Sequence, residues 1–238
     1  MTTTKVLRSA ALTILLAAGV AAAKGKGPKQ PPLYLSEAKL EALQFPLAPA
    51  PGSIVDKADL AQLHDWEKRR TKQQCAAAQA QSHAYFDEFF GDISPFVKPL
   101  PQEPADFLRQ VQDDVDVAVG LIKDKNQRPR PFRHDSSLQP CLEKIGGLAY
   151  PSGHATLSHV YALMLSDLVP ARNPAFITRA NDAALYRVIG GVHHPSDIEA
   201  GKRLGDILFA QFMKDPAFQA QMGRLKAFLA PAAAPAVK

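Results

Sequence analysis

Along its 238 residues the sequence shows almost no strand alternation and almost no hairpin signal, which sets aside sheet-based folds. It holds only two cysteines, Cys75 and Cys141, and without a close histidine partner they make a poor zinc site. No stretch beyond residue 23 reaches membrane-spanning length free of charges. A dense basic stripe is also missing. The formal net charge is +5, and the run Lys68-Arg69-Arg70 reads as a solvated helix face, so nucleic acid is not an expected partner. Mixed charges and a hydrophobic content of 46% set aside gross disorder and suit one globular core.

What is present begins with a leader. Lys5 and Arg8 precede an apolar run over 10–22, and Ala21-Ala22-Ala23 offers a small-residue cleavage site. The run is short for a membrane anchor. Residues 1–23 are therefore expected to be a signal peptide, giving a periplasmic or secreted protein with no stable membrane insertion after cleavage. Cleavage removes two basic residues and no acidic one, lowering the formal charge from +5 to +3. In an oxidising compartment the even cysteine count suggests a disulfide between Cys75 and Cys141; the alternative is two buried free thiols.

Residues 24–53 hold two proline-rich stretches, KGKGPKQPPLYL and FPLAPAPGS, and are expected to form an extended arm. Helical spacing or composition covers 54–69, 72–86, 104–125, 152–168 and 195–213. Asn173-Pro174 and Asp215-Pro216 are cap-plus-proline signals opening helices that run to about residues 188 and 229. The fold expected is all-α: one helical bundle over 54–230, followed by a loose tail at 231–238.

Three polar patches sit at helix ends. In the first, Lys123 lies on the last turn of a long helix, and Pro129 and Pro131 stop that helix around Arg130. Arg130 suits bidentate phosphate contacts and Lys123 adds a point charge; the plain alternative is basic residues complementing a helix C-terminus. In the second, Pro151-Ser152-Gly153-His154, Ser152 can cap a helix and Gly153 lets a ligand approach the free N–H groups. The plain alternative is a capped helix with a surface histidine. In the third, Arg187 and two glycines precede His193-His194-Pro195, and Asp197 follows four residues after His193, near enough to fix its tautomer. The plain alternative is a capping aspartate beside an exposed His pair. Together the patches suit a tetrahedral oxyanion, and the Asp/Glu/His cluster of a dimetal phosphatase is missing, so no metal or cofactor is expected.

The joint pattern resembles the type 2 phosphatidic acid phosphatase and vanadium haloperoxidase superfamily. It consists of Lys123 with Arg130-Pro131, Pro151 to His154, and Arg187, His193 and Asp197. Within it, the chain is most similar to the bacterial class A non-specific acid phosphatases, also through FFGDI near Phe89, RPF at Arg130 and FQAQMGRLKAF near the C-terminus. It departs from them in Tyr186, where a serine is usual, in Leu148-Ala149 before Tyr150, and in Ala155.

The resemblance implies a helical, exported acid phosphatase acting on small phosphomonoesters, and a homodimer. It assigns attack on phosphorus to His193, orientation of that ring to Asp197, and protonation of the leaving alkoxide to His154. Lys123, Arg130, Ser152, Gly153 and Arg187 would hold the phosphoryl oxygens. Other readings are a lipid-phosphate phosphatase or phosphotransferase using the same site, a vanadium-dependent haloperoxidase, and a non-catalytic exported anion-binding protein.

Overall fold

The computed structural model describes residues 34–230. The expected leader, the first part of the arm and the tail from 231 lie outside the described residues. Those described form an all-α architecture without a strand; one isolated bridge pairs Phe96 with Leu229. The helices are α1 (Glu37–Glu41), α2 (Ile54–Arg69), α3 (Lys72–Ala80), α4 (Phe86–Phe90), α5 (Gln102–Asn126), α6 (Pro131–His134), α7 (Gly153–Leu168), α8 (Asn173–Ile189), α9 (Pro195–Phe212) and α10 (Pro216–Leu225).

α7 is the central rod. It is apolar nearly all round, and Leu157, Val160, Tyr161, Met164 and Leu165 are all buried, as expected of a helix enclosed by neighbours. α8 and α9 pack along it, and α5 closes a further side. α5 buries a stripe of Phe107, Leu108, Val111, Val115, Ala118, Val119 and Ile122, whose three- and four-residue spacing puts them on one face. The last turns of α5 and α8 and the first turns of α7 and α9 thereby meet in one region.

Three sequence expectations are corrected. The helix expected over 72–86 stops at Ala80 and restarts at Phe86. The break lets Phe86, Phe89 and Phe90 of α4 enter the core, and burying three phenyl rings outweighs a helical continuation. The last helix tightens after Leu225 into a 3-10 turn over Lys226–Phe228, close to the expected end, and the chain then pairs with 95–97 through Val97 N–H to Phe228 O (2.9 Å) and Ala230 N–H to Pro95 O (2.8 Å). The described part of the arm is not simply extended. Tyr34 is buried edge-on to Phe107, Phe212 and Phe218, its N–H donates to Asp114 (2.8 Å), and α1 follows with Ser36 as its cap. Arg70 does not stand in solvent with its run: its guanidinium donates to the carbonyls of Ile189 and Gln139.

Cys75 and Cys141 form a disulfide across a separation of 66 residues, with Cα atoms 6.0 Å apart. It ties α3 to the irregular 135–149 segment, which also meets the end of α8 through Leu142 N–H to Gly190 O (3.2 Å). A loop of that length corresponds to about 4 kcal/mol of denatured-state entropy. A Cys75→Ser, Cys141→Ser protein is expected to melt roughly 10 °C lower than the parent by calorimetry. An unchanged melting temperature would sink this estimate.

Candidate active site

Each polar patch is placed by the way its helix starts or stops. α5 ends at Gln127 in a left-handed turn (φ 50°), and Arg128-Pro129-Arg130-Pro131 leaves as an exit that cannot rejoin the helix. This keeps Lys123 and Arg130 on one side. α7 starts at Gly153, with Ser152 Oγ accepting from Ala155 N–H (3.3 Å). After α8 the chain folds back, so that Val192 and His193 N–H both donate to Arg187 O (3.0 and 3.2 Å). α9 then starts at Pro195 with His194 as its N-cap.

The second and third patches are locked directly, since Ser152 N–H donates to Asp197 O at 2.9 Å. That approach depends on Gly201, where a Cβ would lie 2.6 Å from Ser152 O and 2.9 Å from the Ala155 methyl. Gly153 is different. A Cβ there would meet only Val119 at 3.4 Å, so packing alone does not demand glycine at the start of α7. The space beside it is open to a ligand.

Hydrogen bonding fixes the protonation of His193. Arg130 Nη1 lies 2.6 Å from His193 Nε2, and a guanidinium can only donate, so Nε2 carries the lone pair. The proton then sits on Nδ1, which faces Asp197 Oδ2 at 3.4 Å. This is a neutral imidazole with its bare nitrogen turned toward the cations. His193 is 3% exposed, and burial together with the charge of Arg130 holds its pKa well below the usual histidine range. Burial opposes ionisation of Asp197 too, but hydrogen bonds from His193 and His194 outweigh it and keep the carboxylate charged.

Of the three cations of the site Arg130 and Arg187 are buried and Lys123 is half-buried, and none has a carboxylate partner among the described residues. Lys123 Nζ donates to Leu148 O, and Arg130 to Val192 O (3.1 Å) and Gly146 O (3.4 Å). Arg187 is 4% exposed, and its Nε and Nη1 have no partner. Burial, then repulsion from Arg130, pushes Lys123 down to about 7 and Arg187 to about 10. His154 is buried with its ring edge-on to Phe89 (centroids 4.7 Å), and its Nε2 has no partner. Burial, then the charge of Arg187, holds it neutral as well. The eight expected site residues thus gather in one largely buried region from four helix ends. His159, further along α7, pairs with Asp206 of α9 (2.7 Å).

Sequence reasoning missed the support beneath Asp197. Arg128 Nη1 donates to Asp197 Oδ1 and to Ser196 Oγ, both at 2.7 Å, and Nη2 to Asp59 (2.8 Å) and Asp56 (3.2 Å). His194 donates to Asp197 Oδ2 through its N–H (2.7 Å) and Nδ1 (2.9 Å). The signal available for Arg128 was its place in Arg-Pro-Arg-Pro, where either arginine could face the site.

The PAP2 superfamily profile matches residues 115–217, which contain all three patches. Over 196 residues the chain is 27% identical to a non-specific acid phosphatase of Providencia stuartii, covering 76% of this chain and 77% of that one. It is 35% identical over 115 residues to a non-specific acid phosphatase of Salmonella typhi, and 32% over 120 residues to an acid phosphatase of Zymomonas mobilis. The matched part spans 45% and 44% of those two relatives. Among solved structures, a bacterial vanadium-dependent iodoperoxidase superposes with TM-score 0.58 at 18% identity, over 76% of this chain and 53% of that one. A transmembrane PAP2-type phosphatidylglycerolphosphate phosphatase from Bacillus subtilis superposes with TM-score 0.52 at 18% identity, over 75% and 90%. These two bear on the fold alone.

Proposed function

We infer, from a chain whose residues 115–217 match the PAP2 superfamily, that it is a phosphatase hydrolysing small phosphomonoesters through a phosphohistidine. One observation carries the reading. Buried Arg130 and Arg187 and half-buried Lys123 form no ion pair with a carboxylate among the described residues, and Arg130 meets the bare Nε2 of His193. Uncompensated buried charge is costly, and it is supported here only if an anion completes the site. A phosphoryl group fits, because its charge is spread over oxygens that three separated cations and a helix N-terminus can meet together.

In the proposed reaction His193 Nε2 attacks phosphorus while the ester oxygen departs, forming an N–P bond as the P–O bond breaks. Asp197 steadies the Nδ1 proton and the charge that develops on the ring. His154 gives its proton to the leaving oxygen, then takes one from the water that cleaves the N–P bond and releases inorganic phosphate. The positive charge opposite the phosphoryl oxygens comes from side chains, so chelation by EDTA is expected to leave turnover intact. Export is supported by the leader-like sequence of residues 1–23. No helix of the described residues is long and apolar enough to cross a membrane.

The reading is tested by turnover of an aryl phosphate against a lipid phosphate, with acid-labile, base-stable phosphoprotein trapped by rapid quenching. Preference for the lipid phosphate would overturn the substrate class, and absence of turnover on both would overturn the enzyme.

His154 must be protonated to act as acid, yet in the free protein it is held neutral. Acidification below about pH 6.5 protonates both site histidines only in the unfolded chain, so the free protein loses stability as pH falls. A dianion beside Arg187 reverses the field at His154. Binding of sulfate, which does not titrate, is therefore expected to take up close to one proton at pH 6, where Lys123 is already charged. Calorimetry in buffers of different ionisation heat measures this. No uptake, or the same uptake in His154→Ala, would remove His154 from the acid role.

A further inference from the structure

Resting on the phosphatase reading, we propose that Arg128 is a positioning residue for His193, acting through Asp197 from a buried charge cluster that reaches back to α2. The guanidinium is 4% exposed and faces three carboxylates: Asp197 Oδ1 at 2.7 Å, Asp59 Oδ2 at 2.8 Å and Asp56 Oδ1 at 3.2 Å. Asp56 and Asp59 are three residues apart on one face of α2, so both point under the start of α9. Asp56 is tied down by Gly52 N–H (2.8 Å). Asp59 accepts Ser196 N–H (3.0 Å) and the Ser196 hydroxyl, and Ser196 Oγ accepts from Arg128. Arg128 O itself accepts from Ala149 N–H (2.8 Å), which anchors the exit from α5 to the approach to α7.

This arrangement divides the two oxygens of Asp197. Oδ1 belongs to Arg128. Oδ2 takes His194 twice and leaves its longest contact, 3.4 Å, for His193 Nδ1. Arg128 therefore prevents the carboxylate from rotating and withdraws part of its charge from the imidazole. That sets how readily His193 gives up its extra proton and is free to attack. A lysine could not do the same, because one ammonium cannot span three carboxylates in a fixed fork. The other ionisable groups facing this pair are Lys123 and Arg130 on the phosphate side, with Arg187 beyond Arg130, and His194 with the His134 ring behind it (ring centroids 5.7 Å).

Two variants test the proposal with opposite signs. In Arg128→Lys, Asp197 is less neutralised, so the His193 imidazolium is favoured. The acidic limb of kcat/KM, which reports the free enzyme, should move up by about half a pH unit or more. kcat should fall about tenfold through misorientation of the ring, with KM little changed. In Asp59→Asn the guanidinium is released toward Asp197, and the limb should move down. The His193 imidazole titration is read in parallel by NMR in the phosphate-free protein, without need of turnover. Limbs and titrations unmoved in both variants, with only a lower melting temperature, would make the cluster purely structural and overturn the proposal. If Arg128→Lys does not fold, Asp59→Asn alone decides by its sign. A wild type without turnover would remove the phosphatase reading, while the NMR titrations would still judge Arg128.

Discussion

Replacing His193 with alanine should lower turnover of an aryl phosphate by about 10⁴-fold or more while the protein stays folded. The size follows from the role: without Nε2 there is no nucleophile, and the remaining cradle can only hold phosphate near water. The folding claim follows from the neighbours. Arg130 keeps its bond to Val192 O, and Asp197 keeps Arg128 and both donors of His194, so neither charge is orphaned by losing a neutral ring. The variant should also keep its affinity for sulfate, since Arg130 Nη1 no longer has His193 as a partner. Steady-state kinetics, rapid-quench trapping and a melting curve read the three claims. A variant that turns over at the parental rate, or still forms base-stable phosphoprotein, would remove His193 from the chemistry.

Those neighbours also mark where sequence reasoning reaches and where it stops. Asp215-Pro216 announces a helix start by local chemistry, and Asp215 caps α10; α8 begins at Asn173 too, but Arg172 holds the cap position and the Asn173 side chain accepts from Ser166 instead. Site residues within one patch are few positions apart, so helix geometry alone brings His193 near Asp197. The support beneath them is different. Asp56 and Asp59 lie 72 and 69 residues from Arg128, and on the page they are ordinary charges on a mixed helix face. Only the packing of α2 under α9 buries them. The restart at α4 was hidden for the same reason. Nothing local in 81–85 stops a helix as strongly as proline would, and the break follows from where Phe89 must go, against His154. Tyr34 likewise read as part of a proline-rich arm, yet a core pocket lined by Phe107, Phe212 and Phe218 receives it.

Arg187→Met should move stability and activity in opposite directions. In the free protein the guanidinium is buried, lacks partners at Nε and Nη1, and is repelled by Arg130. A thioether of similar length fills the space without a charge to desolvate, so the free variant should gain about 2 kcal/mol, or roughly 4–8 °C in melting temperature. With an oxyanion bound the balance reverses, because the two unpartnered nitrogens are the donors the developing charge needs. Loss of one such donor set costs kcat/KM about 10³-fold. Saturating sulfate should stabilise the parent by about 3 kcal/mol at a hundredfold excess over Kd and the variant far less. A protein built only for stability would carry no such residue, and the trade appears only if the site is shaped for an absent anion. Thermal melts with and without sulfate, set beside kcat/KM, measure it. A variant both less stable and fully active would show that Arg187 serves packing and that the cradle is not where phosphate sits.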